Sequence, residues 1–370
     1  MSAARQEESA KGQSFDSESR LEDAVEKHST NHGKLKVCFI TDGGRQMGMG
    51  HVQQSTTLAK ELKKKADIFF LTKSDDIVFT AILEAGFDVT ALQNDEQILD
   101  FLNATNPEIV VFDKIDVAEK LARNIRDTLA ARLVIFTNLT AANKYADIAV
   151  LQRAQDLSTD AASRFRNITY TDESTNTLYC YGPKYWVLRP EFYEYKKRGK
   201  AVPAEAKRIL LAFGGSDPSN LTSVVLGEIL EMGKIFRIDV ILGGYFSHED
   251  SVKTVLEQYS EKMVNVTLHR NIKNVAELMY KADLAITSAG MSMFEALCVG
   301  TPVIVIPQDQ LQRDTYQGVM RMLESDDLKR LGEMIERAEF SSPLDEHIIA
   351  MEIGNGVQEL VKLILHPVVR

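Results

Sequence analysis

Two doubly wound, Rossmann-like α/β domains in tandem are the fold class predicted by this chain of 370 residues. Three observations carry that prediction. From Lys36 onward short apolar runs alternate with helical stretches, which is the pattern of βαβ units around a parallel sheet. The alternation starts afresh at Arg208. In each series a glycine turn follows the first apolar run, where doubly wound sheets carry their ligand loops.

The elements follow in order. Residues 1–34 are rich in Ser, Glu, Gln and Ala, with few apolar side chains to bury, and read as a disordered or partly helical tail. A first domain over residues 35–195 has strands at Val37 to Thr41, Ile68 to Thr72, Ile109 to Asp113, Leu133 to Thr137 and Ile148 to Leu151. Helical stretches fall at His51 to Lys64, Ile77 to Ala85, Glu96 to Asn103 and Asp116 to Ala130. Almost wholly apolar strands predict a sheet covered on both faces. The polar run Tyr193 to Lys200, ahead of Pro203, reads as the linker. A second domain over residues 196–370 has strands at Arg208 to Phe213, Ile238 to Leu242, Val266 to His269, Leu284 to Thr287 and Val303 to Ile306, and ends in an amphipathic helix at Val357 to Leu365. A cleft between the two domains, at the strand C-terminal ends, is the expected ligand site.

Composition narrows the function classes. A formal net charge of -10 and a pI near 5.3 argue against a nucleic-acid surface and against a polybasic membrane patch. An anionic ligand would be held by local N–H dipoles instead. No apolar run reaches the ~18 residues of a membrane span, and no signal-type apolar core is present, so the expectation is a cytoplasmic protein with peripheral membrane contact left open. Cys38, Cys180 and Cys298 lie far apart in apolar surroundings and read as buried, reduced thiols.

The first glycine turn is Asp42-Gly43-Gly44-Arg45-Gln46-Met47-Gly48-Met49-Gly50-His51. Gln53 stands where a dinucleotide motif needs its third glycine, and no acidic residue ends the second strand, so a dinucleotide reading is weak. What the turn offers is Gly48 and Gly50 beside His51 at a helix start, a place suited to a general base. A polar helix-start residue without chemistry is the alternative.

The second domain supplies two further turns. Ser288-Ala289-Gly290-Met291-Ser292 ends a strand and leads to Glu295; small residues let the backbone approach a diphosphate, and a glutamate one turn on could accept from ribose hydroxyls. Read plainly, Ser292 and Glu295 are a capping box. Phe213-Gly214-Gly215-Ser216-Asp217-Pro218-Ser219-Asn220 could face the phosphates with its N–H groups and Ser216, or could be turn chemistry with Asn220 or Ser219 capping the next helix. Gly300-Thr301-Pro302, Pro307 and Gln310 complete the set.

Together these motifs resemble a known family. Gly48-x-Gly50-His51, the run from Phe213 to Thr222, Ala282-Asp283-Leu284-Ala285-Ile286, Glu295, Gly300-x-Pro302, Gln310 and the segment Tyr181 to Phe192 resemble the PseG/SpsG family of UDP-sugar hydrolases of the pseudaminic acid pathway. That family is similar to MurG, the UDP-N-acetylglucosamine transferase of peptidoglycan synthesis, and shares its GT-B fold. The resemblance runs from about Lys36 to Leu365. It implies a UDP-linked amino sugar, with the nucleotide held by Gly214, Gly215, Ser216, Asp217, Ser288, Gly290, Ser292, Glu295 and Gln310. Gly48 and Gly50 would face the sugar. His51 would activate water for inverting attack at the anomeric carbon, with no metal and no cofactor. The chain departs from the family pattern at Gln54, where an arginine is usual, at Thr137-Asn138-Leu139, and at Asp113-Lys114-Ile115-Asp116, which lacks a tyrosine. After Gln312 it also reaches Gly354 sooner than family members do. Two other readings remain from the residues: a GT-B glycosyltransferase with a UDP-sugar donor, and a silent nucleotide-sugar binding protein. Asp113 and Asp116 could orient His51 or substrate, but an acid ending a strand is more often a helix cap.

Overall fold

The computed structural model describes residues 17–29, 33–44, 49–74, 76–137, 139–151, 165–260, 265–270, 272 and 274–366. The chain forms two compact units, residues 1–148 and 149–370. Unit 1 runs α1 (Ser17–Ser29), β1 (Leu35–Thr41), α2 (Gly50–Leu62), β2 (Ala66–Thr72), α3 (Asp76–Glu84), β3 (Asp88–Ala91), α4 (Asp95–Thr105), β4 (Ile109–Asp113), α5 (Glu119–Thr128) and β5 (Arg132–Thr137), and β6 (Ile148–Leu151) begins on its last residue. Its parallel strands lie in the order β3-β2-β1-β4-β5. The chain adds strands to one side of β1 and then crosses to the other. The switch point therefore lies between β1 and β4, whose last residues, Thr41 and Asp113, are paired in register.

Burial explains these strands. Every residue of β4 is buried, as are Lys36 to Thr41 of β1, so helices cover both faces. Among the core side chains are Phe39, Phe69, Phe70 and Phe112, each no more than 2% exposed.

Of the tail expected over residues 1–34 as disordered or partly helical, residues 17–29 form α1. The physical reason is a stripe overlooked in a polar sequence: Leu21, Ala24 and Val25 pack on the unit 1 core, and His28 stacks on Phe69 with ring centroids 4.4 Å apart. Spacing of three, four and seven residues puts all four on one helical face. Residues 1–16 lie outside the described residues.

Unit 2 opens with an antiparallel hairpin, β7 (Ile168–Asp172) and β8 (Thr177–Tyr181), followed by α6 (Pro190–Arg198). Then come β9 (Arg208–Ala212), α7 (Leu221–Glu231), β10 (Arg237–Leu242), α8 (Glu249–Gln258), β11 (Val266–Arg270), α9 (Val275–Lys281), β12 (Leu284–Thr287), α10 (Met291–Cys298), β13 (Val303–Val305), α11 (Gln310–Tyr316), α12 (Leu331–Glu336), α13 (Glu346–Ala350) and α14 (Gly356–Leu365). The parallel sheet is ordered β11-β10-β9-β12-β13, so its switch point lies between β9 and β12. Alternation along β9 builds two cores: Ile209 and Leu211 face Val225, Ile229 and Val240, whereas Leu210 and Ala212 belong with Trp186, Phe192 and Phe294.

The boundary expected near Tyr195 moves to Ile148. Phe165, Trp186, Leu188, Phe192 and Tyr195 are core residues of unit 2, packed with Met293 and Phe294 of α10. Trp186 meets Phe294 edge-on at 4.1 Å, and α6 docks through Phe192 and Tyr195 while Glu194, Lys197 and Arg198 face outward, so this stretch is a docked helix rather than a linker. Cys38, Cys180 and Cys298 are buried and free, and burial pushes the thiols of Cys180 and Cys298 up to about 12. Among the described residues no helix is long and apolar enough to cross a membrane.

Candidate active site

The β1 and β4 ends of unit 1 carry two interlocked acid–base pairs. Gly50 and His51 open α2, and no side chain caps that helix. His51 Nδ1 lies 2.8 Å from Oδ1 of Asp113, which closes β4 and is 2% exposed. The other carboxyl oxygen of Asp113 accepts from Ser55 Oγ at 2.8 Å and Gln54 Nε2 at 3.1 Å, both one turn along α2. Since a carboxylate can only accept, Nδ1 carries the proton and Nε2 is left as the basic nitrogen.

The second pair is Asp42 with Lys114, at 2.8 Å. Asp42 Oδ1 accepts the backbone N–H of Lys73 at 2.9 Å, and Ser74 Oγ accepts that of Gly43 at 2.9 Å, so the loops after β1, β2 and β4 are tied together. Burial alone would raise the Asp42 carboxyl; its bonds to Lys114 and to the Lys73 N–H outweigh that and hold it below the usual carboxylate range. Gly48 lies outside the described residues.

In unit 2 the loops after β9 and β12 flank the switch point. Gly214, Gly215 and Ser216 are exposed, and a Cβ on Gly214 would lie 3.9 Å from Ser288 Oγ, so the two loops are neighbours. Gly214 has φ +87, which a side chain rarely tolerates. Gly243, after β10, is pressed so closely on this loop that a Cβ would fall 2.3 Å from the Gly215 carbonyl oxygen. Gly290 precedes α10 and no side chain caps that helix, so the capping-box reading of Ser292 and Glu295 does not hold. Exposed glycine backbone beside an uncapped helix start is chemistry suited to a diphosphate.

Two of the residues expected at the ligand have partners within the protein. Asp217 is 2% exposed and accepts from the backbone N–H groups of Leu221 at 2.9 Å and Thr222 at 2.8 Å. It caps α7, in place of Asn220 or Ser219. Gln310 is exposed and bonds Asp314 at 2.7 Å. The glutamine held against the glycine loop is Gln308, whose Nε2 donates to the Phe213 carbonyl at 2.7 Å and whose own carbonyl accepts from Ser219 Oγ at 3.0 Å. Glu295 lies on α10 with 16% exposure, and its nearest charged partner is Arg189, at 3.6 Å.

Asp42, Lys114 and Arg189 were missed as site residues. The first two follow β1 and β4, and they meet because those strands are neighbours in the sheet.

Comparison with known proteins adds lineage to this geometry. Residues 209–336 match the glycosyltransferase family 28 C-terminal domain. Across 335 residues the chain is 41% identical to the uncharacterized protein MJ1062 of Methanocaldococcus jannaschii, covering 89% of this chain and 66% of that protein, just under two thirds of its length. It is 28% identical to the spore coat polysaccharide biosynthesis protein SpsG of Bacillus subtilis, over 76% of this chain and 80% of SpsG. It is 22% identical to the UDP-2,4-diacetamido-2,4,6-trideoxy-beta-L-altropyranose hydrolase of Campylobacter jejuni, over 71% of this chain and 88% of that enzyme. Among solved structures, MurG of Acinetobacter baumannii superposes with a TM-score of 0.62 at 14% identity, over 89% of this chain and 99% of MurG, a likeness of fold. Residues 209–336 therefore carry a glycosyltransferase family 28 C-terminal domain, the chain is homologous to SpsG and to the Campylobacter hydrolase, and its fold is like that of MurG.

Proposed function

We propose that this protein is a nucleotide-sugar hydrolase that releases UDP from a UDP-linked amino or deoxy sugar of the 2,4-diacetamido-2,4,6-trideoxy-hexose type, in nonulosonic acid or surface glycan biosynthesis. The observation that carries the reading is the His51–Asp113 pair at the unit 1 switch point. Asp113 fixes the imidazole with Nδ1 protonated, and Nε2 takes a proton from water as its oxygen attacks the anomeric carbon. The bond from that carbon to the diphosphate breaks, the configuration inverts, and UDP leaves with the electron pair. In unit 2, the exposed N–H groups of the Gly214 to Ser216 loop and the start of α10 are suited to hold a diphosphate. Gly50, with open space where a Cβ would stand, leaves room for the sugar beside His51, and Glu295 accepts from the ribose hydroxyls. The homologous Campylobacter hydrolase supports the choice of water as nucleophile.

A second reading is favoured by the family 28 match: transfer from the same donor to a sugar hydroxyl. Both reactions share their first-domain base. The experiment that separates them follows UDP release from a panel of UDP-amino sugars with and without added acceptors. Steady turnover without any acceptor is expected. Release only in the presence of an acceptor would make the protein a transferase, and UDP binding without turnover of any donor would make it a silent binder.

A further inference from the structure

Arg189 has no part in the chemistry above, yet it is the charged group beside the glutamate assigned to the ribose. It precedes Pro190, the first residue of α6, and α6 packs on α10. Its Nη1 lies 3.1 Å from Glu191 and its Nη2 lies 3.6 Å from Glu295. The guanidinium rests on the Phe192 ring, 5.0 Å from the centroid, and its Nε is buried without an acceptor. At 3.6 Å the contact with Glu295 is an ion pair rather than a hydrogen bond, so the carboxylate keeps lone pairs for other donors.

An ionised carboxyl group accepts on both oxygens and makes the stronger, charge-assisted bonds to hydroxyls, whereas a protonated one gives up part of that capacity to its own O–H. Burial, opposed by Arg189 and reinforced by Glu191, leaves the Glu295 carboxyl raised to about 7. The neighbouring elements bring little else. On α6, Lys196 bonds the Ile353 carbonyl; on α9, Lys281 and Glu277 pair with each other; β12 and β13 carry no titratable side chain; and on α10 itself burial keeps Cys298 a neutral thiol. Arg189 is thus the nearest group able to hold Glu295 charged.

We propose that Arg189 is a positioning residue that keeps Glu295 ionised and oriented toward the nucleotide, and so sets the pH range over which unit 2 takes up UDP. The proposal rests on the reading of Glu295 as the ribose contact, and its failure can be told from the failure of that reading. UDP affinity is measured by calorimetry from pH 6 to pH 9 for the wild type and for Arg189→Met, Arg189→Gln, Arg189→Lys and Glu295→Gln, with folding checked by circular dichroism at each pH. The titration of the UDP terminal phosphate is common to all proteins and cancels in the ratios. If removing the cation moves Glu295 up by about one pH unit, Arg189→Met weakens binding about ninefold at pH 6, about fivefold at pH 7 and less than twofold at pH 9. Arg189→Gln behaves the same way, and Arg189→Lys restores most of the affinity. A ratio that is constant with pH for both neutral variants would leave Arg189 a packing residue and overturn the proposal. If Glu295→Gln bound UDP like the wild type, the ribose assignment itself would fall, whatever the arginine variants did.

Discussion

The two switch points solve different problems with different parts of the chain. In unit 1 the loops after β1 and β4 converge through side chains: His51, Gln54 and Ser55 on Asp113, and Lys114 on Asp42. In unit 2 the loops after β9 and β12 offer backbone, with Gly214, Gly215 and Gly290 where unit 1 has charges. A fixed imidazole can move a proton, whereas a row of N–H groups can only hold an anion. On the proposed reading the contrast gives chemistry to unit 1 and holding to unit 2, even though both carry a doubly wound parallel sheet.

Breaking that division should cost most at His51. His51→Ala is expected to lower turnover about 10²–10⁴-fold and leave UDP affinity within about twofold; a comparable loss in UDP affinity would place His51 in the holding role instead. Asp113→Asn comes next, because the ring loses its orienting partner. A misplaced base costs about a hundredfold in turnover, and the buried hydrogen bonds to Ser55 and Gln54 are disturbed at about 1–3 kcal/mol of stability, read by urea unfolding of the same preparation.

Asp217 sharpens the comparison from the other side. As a cap it should cost about 1–2 kcal/mol when replaced by alanine, with turnover per folded molecule unchanged at 25 °C; a selective rise in KM would return it to the ligand. The smallest effect concerns acid. The Asp42 carboxyl is held below its usual range, so its contribution is complete above the ordinary aspartate value of 3.8 and is lost as pH falls through the depressed one. Asp42→Asn should therefore lose less stability than the wild type on acidification below about pH 4, as followed by fluorescence of the single tryptophan, Trp186, and by circular dichroism.

Much of this was legible in the amino-acid sequence, and for physical reasons. Strands such as Val37 to Thr41 and Ile109 to Asp113 are continuous apolar runs, which have few other uses in a chain of this length. Their glycine turns announced the loops. β3 escaped notice because Asp88–Ala91 is short and half exposed, and the β7–β8 hairpin because β7 alternates and is largely exposed rather than running apolar. At the site, His51 was readable from its neighbours, but Asp113 could be ranked only once strand order was known, since its worth depends on lying beside β1. Asp217 misled for the opposite reason. An aspartate in a glycine turn has the same local sequence whether it faces a ligand or caps the next helix, and only its two N–H partners decide.

The account depends on water attacking carbon. Turnover of a UDP-amino sugar in ¹⁸O-labelled water, quenched before the free sugar can exchange its anomeric oxygen and read by mass spectrometry, tests it directly. The account predicts label in the hydroxyl at the anomeric carbon of the released sugar and none in UDP. Label in the phosphate of UDP would mean attack at phosphorus, and the roles given to His51 and to the unit 2 loops would both be contradicted.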